Sequence, residues 1–416
     1  MAHSASTPPA LTGLRGDAMA GEVVTVYAGE RPPQYWDASV LMASPGPPPS
    51  DPDDAGSWPG AAIALLREQW NIEGRLVVFV SEFHADPDRF TGRNADWMSY
   101  VLHSADVVMF WLPEGEAPLL SLADIAWGAL NDSQRVVMGA SRNVPEARVA
   151  LEYADDHNVP IATTLTEAVD KVLGKIGLGA RRSGGERGVP LPIWRSRSFR
   201  NWYDSQSAAG NTMLSARQVW TFSAGSDNQL LLYWALHVSM HIAAEDRVKS
   251  NEVVISRPDI SVMALYKRGA SLDDTIIVLI REFRSPASTP DGFVHELPGG
   301  SAPGDVLHQA VIEVSEETGL AIDVTRIRAY GSRQVAATLS AHHAHLFAAQ
   351  ITDDELARLG ATQSRARDAD DTERTWTEIT TFGEIRRKRL ADWATIGMIT
   401  EVLLATTSPG GAAPTC

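Results

Sequence analysis

The sequence predicts two folds in tandem, an α/β first half built on a parallel sheet and an α+β second half. Three observations carry this. From residue 23 to about 177, short apolar runs alternate with helical patterns, the rhythm of strands joined by crossover helices. From about 252 to 405, strand-like runs follow one another with few helices between them. Between the halves lies GLGARRSGGERGVPLP (177–192), rich in glycine and arginine and poor in apolar residues, which reads as an interdomain linker.

In the first half, VVTVYAG (23–29) reads as a strand entering a glycine turn. The stretch 32–60 is rich in Pro, Asp and Gly and reads mostly as a loop. AAIALLREQW (61–70) is helical and RLVVFVSE (75–82) a buried strand. NADWMSYVLHSA, DVVMFWLP, LADIAWGAL and QRVVMGAS then alternate helix and strand. VPEARVALEYADDHN is a helix, VPIATTL a short strand, and TEAVDKVLGKI a helix with Thr166 as its expected cap. Ligands of such sheets bind at the carboxyl ends of the strands.

The domains expected are a leader over 1–22, an α/β domain over 23–177, a linker over 178–192, a helical connector over 193–250, a second domain over 251–406 and a tail over 407–416. The connector carries Trp194, Trp202, Trp220 and Trp234 and ends in NQLLLYWALHVSMHIAAEDRV, read as an apolar helix. Such a helix must bury against a flanking domain or against a second copy of the chain in a homodimer. His237 and His241, four apart on it, have a spacing that suits zinc, but their apolar face favours packing. In the second half EVVISRP, ISVMALYKR, TIIVLIREFR, FVHELPGG, TRIRAYGSRQVA, AHLFAAQI and RTWTEITTF read as strands. DWATIGMITEVLLATT reads as the last helix.

The net charge of -16 disfavours general nucleic-acid binding, because an acidic surface repels phosphate backbones. One cysteine, Cys416, leaves no disulfide framework within the chain and no cysteine-based metal site. No apolar run reaches the roughly 18 residues that span a bilayer. A reducing, cytoplasmic setting and a leader without a secretory pattern are the expectation.

LPGGSAPGDVLHQAVIEVSEETGL (297–320) is the most informative stretch. Asp305 is expected to cap a helix over about 306–318 that stops at Gly319. Leu307, Ala310, Val311 and Val314 form its inward stripe, and Glu313, Glu316 and Glu317 share an adjoining face. Like charges so spaced destabilise a helix by a few tenths of a kcal/mol per pair, a penalty that a bound divalent cation reverses. Hard oxygen donors suit Mg2+ or Mn2+, which also bridge phosphate oxygens. The bland alternative is a solvated acidic face.

The same residues resemble the Nudix box, G-x(5)-E-x(7)-R-E-U-x-E-E-x-G-U, whose second half stands here as EVSEETGL after the lead-in HELPGG. Ile312 occupies the place of the box arginine, and Gly304 falls where the first box glutamate would, with Asp305 beside it. Over about 252–405, VLIREFR, TWTEITTF and RLADWATIGMI are similar to the ADP-ribose pyrophosphatase branch of that family. The resemblance implies metal binding and catalysis through Glu313, Glu316 and Glu317. It further implies substrate contacts from Arg281, Arg284, Glu296, Gly299, Gly300 and Glu373. The substrate class implied is a nucleoside-diphosphate derivative such as ADP-ribose.

Residues 23–175 resemble the nucleoside 2-deoxyribosyltransferase-like superfamily, through VYAGERP, NADWMSYVLHSADVVMFWLP and SLADIAWGAL. Where that family places a nucleophilic glutamate two residues before a glycine, this chain has Ala126 before Gly128. Asp124 is the nearby carboxylate. The implied roles are nucleoside or nucleotide binding, cleavage of an N-glycosidic bond through Asp124, or a structural part. Two other readings of the whole chain stand beside metal-dependent hydrolysis. One is a non-catalytic nucleotide sensor. The other is a nucleoside monophosphate N-glycosidase with a passive second domain. His343 and His345, alternating on one strand, are read as loop histidines near the implied substrate cleft.

Overall fold

The computed structural model describes residues 21–43, 57–81, 94–114, 133–141, 144–224, 230–301, 304–362, 367–368 and 374–407. The leader and the tail lie almost wholly outside the described residues, as do LADIAWGAL and the acidic run 369–373. The chain divides into two compact units. One comprises Met1–Arg195, Gly210–Leu231 and Leu236–Glu252, and the other Ser196–Ala209, Leu232–Ala235 and Val253–Cys416.

The first unit contains β1 (Glu22–Tyr27), β2 (Tyr35–Trp36), β3 (Ala38–Ala43), β4 (Arg75–Val80), β5 (Val107–Leu112), β6 (Val136–Ala140), β7 (Ile161–Ala162) and β8 (Arg182–Ser183). Six of them form one sheet in the order β1-β4-β3-β5-β6-β7 with every pairing parallel. Helices Trp58–Gln69 and Leu165–Ile176 cover one face, through Ile63, Leu66, Val169 and Val172. Helices Asn94–Ser104 and Arg148–Asp156 cover the other, through Trp97, Val101, Ala150 and Ala154. Burial on both faces explains the continuous apolar runs.

Strand β3 falls within the stretch 32–60 read as mostly loop. Its first five residues are buried, so it carries no alternation to betray it, and the prolines and glycines that suggested a loop flank it. The cap of the helix Leu165–Ile176 is Thr164 rather than Thr166. Its hydroxyl accepts from Glu167 N–H at 3.2 Å.

The expected linker is packed. Arg182 is fully buried, and its guanidinium donates to both oxygens of Asp106 at 2.6 Å and to Val189 O at 2.8 Å. Asp106 also accepts from Ser39 N–H and Leu191 N–H, each at 2.8 Å. A buried carboxylate needs such a set of donors. The charged residue that suggested a solvated segment is therefore the one that fastens it.

The connector is largely β. After the helix Arg197–Ala208 come β9 (Thr212–Ala224), β10 (Leu230–Ile242) and β11 (Arg247–Ser256), a three-stranded antiparallel sheet in the order β11-β10-β9. The apolar helix expected over 228–248 is thus overturned. Leu236, Val238 and Met240 are buried while His237, Ser239 and His241 between them are partly exposed, a period of two. The helical spacing on which the zinc reading of His237 and His241 rested is lost with it.

The second unit contains β12 (Ile260–Lys267), β13 (Ile276–Phe283), β14 (Phe293–Glu296), β15 (Gly299–Ser301), β16 (Arg328–Gln334), β17 (His343–Gln350), β18 (Arg367–Asp368) and β19 (Arg374–Thr381). Its sheet runs β16-β17-β12-β13-β19-β18, with β14 on β13 and β15 on β12. The β12–β17 pairing is parallel and the others antiparallel. Helix Val306–Thr318 packs on one face with Met263, Leu265, Val278 and Phe347. Helices Phe382–Lys388 and Trp393–Thr407 pack on the other with Val262, Ala264, Leu279 and Leu346. A further helix, Asp353–Thr362, had no counterpart in the sequence reading.

Candidate functional site

The helix Val306–Thr318 begins and ends where the sequence places it. Asp305 accepts from His308 N–H at 2.7 Å as its cap, and Gly319 closes it in the left-handed conformation, φ 73°. Asp305 is thereby spent on the cap. Ala310 and Val314 are buried against the sheet, which turns the glutamate face towards the glycine turn.

Two of the three glutamates meet that turn. The Glu317 carboxylate accepts from Gly299 N–H at 3.0 Å. A Cβ on Gly300 would lie 2.0 Å from Glu313 Oε1, so only glycine lets this carboxylate rest on the backbone. Gln309 Nε2 donates to the same oxygen at 2.8 Å. The amide of Gln309 donates to Glu313 and the Gly299 N–H to Glu317. Glu316 is exposed to solvent.

Burial pushes the Glu317 carboxyl up to about 9, and the charges of Glu313 and then Glu282 add to the rise. The Gly299 hydrogen bond and the charge of Arg284 act against it. Glu282 is buried on β13, two residues beyond Ile280 and on the helix-covered face. Arg284 bridges Glu282 at 3.0 Å and Glu296 at 3.1 Å. The structure thus brings Arg284, Glu296, Gly299 and Gly300 to the face that carries Glu313 and Glu317.

Arg281 is not among them. Strand alternation sends it to the opposite face, where it pairs with Asp291 at 3.0 Å and lies 3.8 Å from the centroid of the Phe293 ring. On that face His295 and Glu378 pair at 2.8 Å, and His295 holds the Glu378 carboxyl below its usual range. Glu373 and Asp124 lie outside the described residues, and so do the loops after β3, β4 and β5 at the carboxyl end of the parallel sheet. Of that end, the described part includes the expected glycine turn. Gly29 has φ 83°, and the Glu30 carboxylate accepts from Tyr27 N–H at 3.0 Å.

Sequence reasoning missed two residues near the glycine turn and the glutamates, and weighed a third otherwise. Glu282 is a charge at a core-facing position of a strand, a signal that alternation alone would have given. Ser261 is fully buried, and its hydroxyl has no hydrogen-bond partner among the described residues. It pairs in register with Gly300 on one side and His345 on the other. His345, weighed above as a loop histidine, is partly buried on β17 with Nε2 3.4 Å from Asp259 Oδ2. The register, which no local pattern reports, sets Ser261 between His345 and the glycine turn that meets the glutamates.

A buried carboxyl with two carboxylates beside it offers the hard oxygen donors that suit a divalent cation. Among the described residues, no three His, Cys, Asp or Glu side chains converge closely enough to hold a metal ion as they stand. No known protein-family model matches the chain, and no curated protein does.

Proposed function

We propose that the second unit hydrolyses the diphosphate of a nucleoside-diphosphate derivative, with ADP-ribose-like compounds as the lead class and Mg2+ or Mn2+ as cofactor. The observation that supports this is the Glu317 carboxyl, raised to about 9 beside Glu313 and Glu282. Burial and the neighbouring carboxylates together disfavour its anion, and a bound cation would favour it. Glu313, Glu317 and, after a rotamer change, Glu316 would hold the cation. When bound it stabilises charge on the phosphate and acidifies a water. Gly299 N–H and Gln309 orient the two carboxylates, and Arg284 offers a guanidinium to phosphate oxygens. In this reading the first unit engages a nucleoside moiety by itself, with Asp124 its candidate nucleophile.

The test is release of AMP from ADP-ribose with Mg2+ by the wild type, and its loss in Glu317→Gln and Glu316→Gln. One observation favours a second reading, a nucleotide sensor without turnover. Among the described residues, no three His, Cys, Asp or Glu side chains converge closely enough to hold a metal ion as they stand. Saturable nucleotide binding with no product in either metal would decide for the sensor.

A further inference from the structure

A cavity of about 220 Å³ lies in the second unit on the sheet face opposite the glutamates, between the end of β16 and the helix Trp393–Thr407. Its floor is apolar, with Ala344 and Leu346 buried beneath it. Two aromatic rings line it, Tyr330 and Trp393. Trp393 is 89% exposed, an unusual position for an indole in the first turn of a helix. The register of β16 on β17 shifts between Ala329 and Ser332, so Tyr330 and Gly331 form a bulge, and Gly331 takes φ 82°. Bulges re-aim side chains, and this one brings Tyr330 to the cavity wall.

The rim is polar and of both signs. Arg333 and Glu401 approach to 3.7 Å and both remain substantially exposed. One offers donors and the other acceptors. On the helix side the wall is Gly397, where an added Cβ would meet nothing within 4 Å. The site therefore combines a flat aromatic platform, an apolar floor and a donor–acceptor pair at one edge. A planar ring with both kinds of polar atom on its edge satisfies all three, because stacking uses its faces and hydrogen bonding its rim.

We propose that this cavity is a second small-molecule site, separate from the glutamate cluster, that takes a planar nitrogen heterocycle of the nucleobase kind by stacking on Trp393. It stands independently of the hydrolase reading, since no residue of the cavity belongs to the glutamate face. The test is calorimetric titration of the full chain with adenine, which lacks phosphate and sugar. Saturable binding is expected. Trp393→Ala should weaken it about tenfold, the size of one lost base–aromatic stack. Gly397→Leu should weaken it at least as much by filling the cavity, and it replaces a helix glycine with a stronger helix former. Glu316→Gln should leave it unchanged. Absence of binding to the wild type overturns the proposal, and so does equal binding by the wild type and both cavity variants. A change in oligomeric state in Trp393→Ala with adenine binding intact would also overturn it, assigning the indole to a contact between copies.

Discussion

The Glu317 carboxylate sits 3.0 Å from the backbone N–H of Gly299, eighteen residues away in sequence, and shares its surroundings with Glu313. Burial and that neighbour hold a proton on Glu317 in the folded chain up to about pH 9, whereas the unfolded chain releases it near the ordinary value of 4.5. Between those limits the native state binds more protons than the unfolded one, so stability falls as pH rises. It is fully present below 4.5 and lost progressively towards 9. At about 1.4 kcal/mol per unit of pKa, the change has an upper bound of about 6 kcal/mol. Urea midpoints in a chelator should drop across this window, and Glu317→Gln should flatten the profile. A wild-type midpoint that rises with pH would contradict the assignment.

A divalent cation should reverse that slope. Binding Mn2+ displaces the Glu317 proton, so it should stabilise the chain more at high pH than at low, and release close to one proton. Thermal melts with and without Mn2+, repeated in a buffer series by calorimetry, measure both effects. Glu313→Gln with Glu317→Gln should abolish them. Equal melting with and without Mn2+ in the wild type would count against the cation.

The two glycines of the turn should fail differently. Gly300→Ala pushes a methyl group into Glu313 Oε1, a side chain that can swing away. The fold should hold within about 1 kcal/mol while Mn2+ affinity drops tenfold or more. Gly299→Ala places its Cβ 2.3 Å from Ser261 O, which is backbone, so stability itself should fall by about 1–3 kcal/mol. Denaturation and Mn2+ titration of both variants separate the cases.

Ser261→Ala discriminates structure from function. Its hydroxyl is buried with no partner, so its removal should leave stability unchanged or raise it slightly. If the site turns over ADP-ribose, the same change should leave the rate unaltered, because a hydroxyl with no exposed surface does not reach substrate. Loss of stability would place an unrecognised structural bond there.

Arg182→Met should cost about 3–5 kcal/mol, since it leaves Asp106 buried with only neutral donors. Adding Asp106→Asn should restore part of the loss, because the pair acts as a unit. Chemical denaturation of both single variants and the double variant closes the cycle.

The elements that the sequence disclosed share a cause. The helix Val306–Thr318 announces itself because capping, stripe and stop are all local, and the apolar strands β1, β4, β5 and β6 because each lies between turn signals. What escaped depends on distant partners. Strand β10 was taken for a helix because its length and apolar content outweighed the alternation from Leu236 to Ile242. β3 was hidden by its flanks. Arg182 reads as solvated until Asp106, 76 residues upstream, is seen beside it. The same holds at the site. The three glutamates were legible as one helix face, but only the tertiary contacts with Gly299 and Gly300 tell which of them turn inward, and only the pairing of β12 with β15 and β17 sets Ser261 between that turn and His345.

The compact units are not contiguous in the chain. Stretches around 196–209 and 232–235 belong with the later half, while 210–231 and 236–252 belong with the earlier one. No single scission therefore yields two intact halves. A protease cut or gene fusion placed at the glycine-rich stretch would strip Asp106 of its counter-ion. Cuts further along would leave each fragment carrying strands that are foreign to it. Expressing either unit alone would require joining stretches that the chain keeps apart.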